Sequence, residues 1–283
     1  MLKNKVYFQS IHNFIDKDSK DENEDAIAYI KNPLFDKIAV SDGAGGAGIY
    51  CKAWANHLVK NQRDKPFDSK TNAEEWFLSI SESFYKENIE SINKMDPFIL
   101  EKFIKEGSYA TLFFAWWNKE TNVFHYVGIG DTTLFVFSKE NEIFKTILIT
   151  PINEQNSLDD FPKLLNWNKE LNYDMSISEI KLKPDDILII STDSITRWII
   201  YHLMVIETFE TQKILGESIV KSIDSNKLQN IKLSNPYKDL SDMLLKIENT
   251  VNKSETFFKN ELEKSINGNV LEKDDFTIFF KRI

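Results

Sequence analysis

One cysteine, Cys51, in 283 residues excludes an internal disulfide and any thiolate metal cage. A lone thiol on a helix is expected to be a small buried apolar group. Histidine is also scarce. His12, His57, His125 and His202 have no metal-ligand spacing among themselves, which argues against a histidine-rich zinc site. No run reaches the roughly 18 apolar residues of a membrane span. The segment MLKNKVYFQSIHNF lacks a continuous apolar stretch, so no signal peptide is expected. Positive charge is in deficit. A net charge of −9 leaves no basic stripe to release counterions from nucleic acid. The same deficit disfavours anionic membrane surfaces. These absences give an expected cytoplasmic protein with neither nucleic acid nor membrane as partner. Oligomeric state is open.

Core-forming residues are abundant: 42% hydrophobic and 13% aromatic, with 21 Phe and 6 Trp. That is enough for broad apolar faces packed on one another. Val6–Ile11, Asp25–Lys31 and Lys37–Val40 read as strands. Helical periodicity follows over Ile49–Lys60, Ala73–Lys94 and Phe98–Lys105. Ala110–Trp117, Val123–Gly130, Thr133–Ser138 and Ile143–Ile149 are strand-length runs with short polar connections, an antiparallel pattern. Residues 151–175 read as a polar surface flap. Ser176–Lys181 and Asp186–Thr192 are two further strands. Residues 194–265 are helical, with a break near Ser222–Pro236, and Phe276–Lys281 closes the chain as a strand. No linker rich in Gly, Ser or Pro divides the chain and no internal repeat is visible. The expectation is one α+β domain spanning 1–283: two antiparallel sheets packed together, with helices covering the outsides.

Four aspartates stand where strands end: Ser41-Asp42-Gly43, Gly130-Asp131-Thr132, Thr192-Asp193-Ser194 and Lys273-Asp274-Asp275. A short carboxylate on a rigid strand end is firmly held. Four of them from distant segments need a cation to gather them. Two carboxylates about 4 Å apart repel by roughly 4 kcal/mol at an effective dielectric near 20. Hard divalent ions such as Mg²⁺ and Mn²⁺ take oxygen ligands and reverse that sign. Taken singly, such aspartates are often turn formers, and Asp186 and Asp275 read that way. The turn Gly43-Ala44-Gly45-Gly46-Ala47-Gly48 holds four of the nine glycines and also fits a dinucleotide-binding G-x-G-x-x-G. Asp42 beside it would repel a pyrophosphate, and the expected acidic strand end about 20 residues on is missing.

Six segments, in order, carry a family resemblance. They are Asn23-Glu24-Asp25-Ala26, Val40-Ser41-Asp42-Gly43-Ala44-Gly45-Gly46, Gly107-Ser108-Tyr109-Ala110-Thr111-Leu112, Val127-Gly128-Ile129-Gly130-Asp131, the run from Lys183 to Asp193, and Lys273-Asp274-Asp275-Phe276-Thr277. Together they resemble the metal-dependent type 2C serine/threonine protein phosphatases, in the form of a bacterial-type catalytic domain standing alone. The resemblance implies a four-layer α-β-β-α sandwich, two Mn²⁺ or Mg²⁺ ions with an optional third, and a phosphorylated protein as substrate. It implies hydrolysis of phosphoserine or phosphothreonine by a hydroxide bridging the two ions. By position, Asp42 would bridge both ions and the Gly43 carbonyl would bind the first. Asp193 and Asp274 would bind the second, Glu24 and Asp25 would hold metal-bound waters, and Asp131 would serve the third.

Three positions depart from the family pattern. Lys20 stands where an arginine usually holds the substrate phosphate, and it supplies charge without a bidentate fork. Thr133 replaces another arginine. Ser194 replaces a glycine, which is unfavourable if the backbone there needs φ > 0. These departures motivate the alternative of a weak or inactive pseudophosphatase that acts as a binding or regulatory module.

Overall fold

The computed structural model describes residues 6–11, 23–31, 33–45, 48–151, 162–173, 175, 177–253, 255–271 and 274–283, with only the backbone described for 6–11, 218 and 255–257. The elements up to the middle of the chain are β1 (Val6–Ile11), β2 (Ala26–Ile30), β3 (Phe35–Ser41), α1 (Cys51–Lys60), α2 (Lys70–Ile92) and α3 (Pro97–Glu106). Then come β4 (Tyr109–Ala110), β5 (Leu112–Asn118), β6 (Val123–Ile129), β7 (Thr133–Glu140), β8 (Ile143–Thr150), β9 (Leu165–Asn166), β10 (Ser178–Lys181) and β11 (Ile187–Ser191). The remainder is α4 (Asp193–Ile206), α5 (Thr208–Leu215), α6 (Glu217–Ser222), α7 (Ser225–Ser234), α8 (Leu240–Lys253), α9 (Glu255–Asn267) and β12 (Phe276–Arg282). The fold is mixed α+β, with antiparallel sheets and helices. No described helix is long and apolar enough to cross a membrane.

The chain forms two compact units. One comprises Glu24–Thr132 and Pro162–Leu182. Its sheet has the order β10-β6-β5-β3-β2, antiparallel at each pairing. β5 is central and its residues Leu112–Trp117 are all buried. A strand covered on both faces reads as a continuous apolar run, which is how LFFAWW reads. Its Phe114 and Trp116 share a core with Trp54 of α1, Phe84 of α2 and Phe103 of α3. Each such buried ring contributes about 1.5–3 kcal/mol relative to exposure. α2 starts where Ser69 Oγ accepts from the Asn72 amide at 3.1 Å, and α3 where Asp96 caps ahead of Pro97. His57 is held by the Ile80 carbonyl at 3.0 Å and Ser83 Oγ at 2.9 Å, so it ties α1 to α2.

The other unit comprises Met1–Asn23, Thr133–Phe161 and Lys183–Ile283. Its sheet has the order β1-β12-β11-β7-β8, again antiparallel at each pairing. Ile187 and Ile189 of β11, Phe135 and Phe137 of β7, and Ile278 and Phe280 of β12 alternate along their strands onto one face. That face packs against Ile199 and Leu203 of α4 and Leu244 and Ile247 of α8. Asp186 fixes the turn into β11. Its carboxylate accepts from the Lys183 amide at 2.8 Å and from Ser138 Oγ at 2.7 Å.

Two expectations change. The break near Ser222–Pro236 contains a helix, α7, whose N-terminus is capped by Asp224 and which buries Ile231. Within 151–175, Leu165 and Asn166 pair with Tyr109 and Ala110, so part of the expected flap is a buried strand. All pairings among the described residues are antiparallel, which removes the βαβ frame that a dinucleotide turn requires.

Candidate metal centre

The acidic residues singled out in the sequence fall into two groups, one in each unit. In the unit containing β3, the end of that strand is clamped by Thr111. The Asp42 amide donates to Thr111 Oγ1 at 2.8 Å and the Thr111 amide donates to the Asp42 carbonyl at 2.8 Å. Ser41 Oγ donates to the Thr111 carbonyl at 2.6 Å, and Thr111 Oγ1 lies 2.6 Å from Thr132 Oγ1. Thr132 follows Asp131. One threonine thus ties the backbone beside Asp42 to the backbone beside Asp131. Asp42 and Asp131 are each half-buried, mounted at the ends of β3 and β6.

The glycine turn serves Glu24. A Cβ on Gly45 would land on the Glu24 carboxylate, 2.7 Å from Oε1 and closer still to Oε2. A Cβ on Gly43 would meet the Glu24 carbonyl at 2.8 Å and the Cys51 carbonyl at 2.9 Å. Gly45 therefore leaves room for the Glu24 carboxylate. Asp25 is buried at the start of β2. Cys51 is buried at the start of α1, where its Sγ donates to the Ala44 carbonyl at 3.2 Å. Burial pushes its thiol up to about 11.

In the other unit, β11 and β12 are neighbours, and Asp193 and Asp274 sit at their adjoining ends. The Thr192 amide donates to the Thr277 carbonyl at 3.1 Å, and the Thr277 amide donates to Thr192 Oγ1 at 3.1 Å. These bonds hold the two segments in register just before their acids. Asp193 opens α4, where a carboxylate is favoured by the helix dipole. Burial, together with repulsion from Asp193, pushes the Asp274 carboxyl up to about 7. Bonds from the Asp275 amide at 2.9 Å and Ser194 Oγ at 3.0 Å pull the other way.

Ser194 lies within α4 in helical conformation, so serine carries no left-handed strain there. The expected penalty is absent, and the hydroxyl contacts Asp274 instead. Thr133 is the first residue of β7 and is fully buried. Lys20 lies outside the described residues. Among the described residues, no three or more of His, Cys, Asp and Glu are gathered as one ligand set. The acids form smaller groups: Asp193 with Asp274, and Glu24 against the Gly43–Gly45 turn.

The donor set suits a hard divalent ion. It is all oxygen, and the Asp193–Asp274 pair is costly without a cation between the charges. Sequence reasoning missed Thr111, Thr132 and the Ser194 hydroxyl. The only signal was small polar residues placed next to the acids.

No protein-family model matches the chain, and no curated protein matches it. Solved structures do. The catalytic domain of the serine/threonine protein phosphatase PstP, in complex with two manganese ions, superposes with a TM-score of 0.50 at 12% identity, covering 99% of this chain and 98% of that one. A bacterial serine phosphatase carrying an arginine-to-alanine substitution gives 0.50 at 14% identity, covering 99% and 98%. At such identities the likeness speaks for the fold, and the chain has the fold of the bacterial serine/threonine phosphatase catalytic domain of the type 2C kind.

Proposed function

We propose that this chain is a divalent-metal-dependent phosphatase acting on phosphoserine or phosphothreonine in proteins. The observation that carries the proposal is the Asp193–Asp274 pair. Two carboxylates are set side by side at the ends of neighbouring strands, with one pushed up to about 7. Such an arrangement is paid for by a ligand that it binds. The proposal takes residues 1–283 as one α-β-β-α domain and places the protein in the cytoplasm.

Mn²⁺ or Mg²⁺ suits these residues, as two ions with an optional third. Asp193 and Asp274 are the proposed ligands of one ion. Asp42 and the Gly43 carbonyl are those of another, with Glu24 and Asp25 orienting water and Asp131 serving the optional ion. When bound, such ions supply an activated water at neutral pH and draw charge from phosphoryl oxygens. The chain's own residues do the rest. Thr111 and Thr132 hold the backbone beside Asp42 and Asp131 so that neither carboxylate wanders. Ser194 orients Asp274 and favours its charged form. Lys20 supplies the positive charge that the substrate phosphate needs.

The test is phosphate release from a phosphothreonine peptide with millimolar Mn²⁺. Turnover that EDTA abolishes, and that Asp42→Asn and Asp193→Asn each abolish while the protein stays folded, is the expected result. Turnover that persists in EDTA overturns the metal reading. Stoichiometric Mn²⁺ binding with no turnover on any phosphopeptide assigns the chain to the regulatory-module alternative.

A further inference from the structure

The helical layer of the unit that holds Asp193 contains a cavity of about 590 Å³, a volume within the usual range for small-molecule sites. Ile195, Trp198 and His202, at helical spacing along one face of α4, form one wall. α8 supplies Ile247 and Thr250, α9 supplies Phe258 and Leu262, and Ile278 of β12 also borders it. Most of this lining is apolar.

Two buried nitrogens in the wall have no hydrogen-bond partner among the described residues: Trp198 Nε1 and His202 Nδ1. His202 is only 4% exposed. An indole N–H is a donor only, and leaving it buried without a partner is unfavourable, so an occupant with an acceptor is favoured. The two rings lie edge to face at 4.9 Å, and Tyr237 closes the cluster 4.8 Å from His202. Burial holds the His202 imidazole down to about 4, against a hydrogen bond with the Asn235 side chain that favours the charged form, so the ring is neutral at physiological pH. The charged side chains of the lining are compensated: Lys264 pairs with Glu261, and Lys246 pairs with Asp242.

We propose that this cavity is a binding site for a small, largely apolar molecule that carries a hydrogen-bond acceptor: an apolar body among Ile195, Phe258 and Leu262, and an oxygen that accepts from Trp198 Nε1. Nothing in the phosphatase reading requires it. The site borders both chain segments that carry the acidic pair. α4 begins at Asp193, and Ile278 is four residues past Asp274. Occupancy is therefore expected to alter Mn²⁺ affinity. That coupling rests on the metal reading above, whereas binding in the cavity does not.

Isothermal titration of the full chain in EDTA keeps the two apart. The probes are dodecanoate and 1-naphthaleneacetate, which share the head and differ in the body. One-site binding of either supports the proposal and identifies the body, aliphatic or aromatic. Binding of neither overturns it. Trp198→Phe keeps the ring and removes the N–H, and is expected to weaken binding about fivefold. Thr250→Trp, at a half-buried lining position, is expected to abolish binding by filling the space. Unchanged affinity in both variants overturns the location. A 1-naphthalenemethylammonium cation, which carries no acceptor, overturns the assigned acceptor if it binds as tightly as 1-naphthaleneacetate. Once binding is established, equal Mn²⁺ affinity with and without the bound probe overturns the coupling alone.

Discussion

The Ser194 hydroxyl donates to Asp274 Oδ2 across 3.0 Å, joining the first turn of α4 to the segment that enters β12. The bond favours the charged form of an acid that burial and Asp193 push toward the neutral one. Ser194→Ala removes that support, and the Asp274 carboxyl rises further. Mn²⁺ must then displace a more tightly held proton. The expected outcome is about a fivefold loss of Mn²⁺ affinity at pH 6.5, shrinking above pH 8 where Asp274 is ionised in both proteins. Equal losses at both pH values would show that the hydroxyl acts through structure alone. Mn²⁺ titrations of wild type and variant at the two pH values decide it.

Asp274 also sets a pH dependence of stability. Its folded value, about 7, lies above the ordinary 3.8. Between those values the folded chain holds a proton that the unfolded chain has released, so this group makes stability fall as pH rises from about 4 to 7. His202 acts in the opposite sense. Its folded value of about 4 lies below the ordinary 6.5, so stability is lost as pH falls through that window. His57, also lowered by burial, adds to the histidine side. The wild-type profile without metal is therefore a partial cancellation, and the difference between proteins isolates each group. Asp274→Asn is expected to raise the Tm of the metal-free protein at pH 8 and to leave it nearly unchanged at pH 4. It should also erase the Mn²⁺-induced rise in Tm. Thermal unfolding at both pH values, with and without Mn²⁺, is the measurement.

Cys51 is expected to be inert. Its thiol is buried, donates to the Ala44 carbonyl and is pushed up to about 11, so almost no thiolate exists at pH 8. Reaction with a disulfide reagent such as DTNB should be negligible in the native protein and stoichiometric in guanidinium chloride. Rapid labelling under native conditions would show that the start of α1 opens readily.

The strands were legible where burial imposes a pattern. β5 and β11 are covered on both faces, so their apolar runs could only be buried strands, and each was placed within two residues. α7 was missed because its sequence, SNKLQNIKLS, is mostly polar and buries only Ile231; the Asp224 cap holds it in place. β9 was missed because two residues have no period. At the site, the acids were visible because charge at a strand end stands out. Thr111, Thr132 and Ser194 were not, because a hydroxyl acts through its partner and the partner is distant in sequence in two of the three contacts: Thr111 with Asp42, 69 residues apart, and Ser194 with Asp274, 80 apart. The concern over Ser194 rested on a backbone angle, which sequence does not report and which proved helical.

Gly43 and Gly45 make a paired test of the turn. A Cβ on Gly43 meets backbone, the carbonyls of Glu24 and Cys51 at 2.8 and 2.9 Å, and backbone cannot step aside cheaply. Gly43→Ala is expected to destabilise the metal-free protein by about 1–3 kcal/mol. A Cβ on Gly45 meets only the far end of the Glu24 side chain, which can swing away. Gly45→Ala should therefore cost the metal-free fold no more than about 0.5 kcal/mol. It moves the Glu24 carboxylate, however, and Mn²⁺ affinity should fall by the same factor as in Glu24→Gln. The two variants thus separate a glycine kept for the chain from one kept for a carboxylate. Denaturant unfolding in EDTA followed by Mn²⁺ titration reads both. If Gly45→Ala leaves Mn²⁺ affinity untouched while Asp42→Asn abolishes it, Glu24 has no part in the centre, and the close approach at Gly45 serves only the turn.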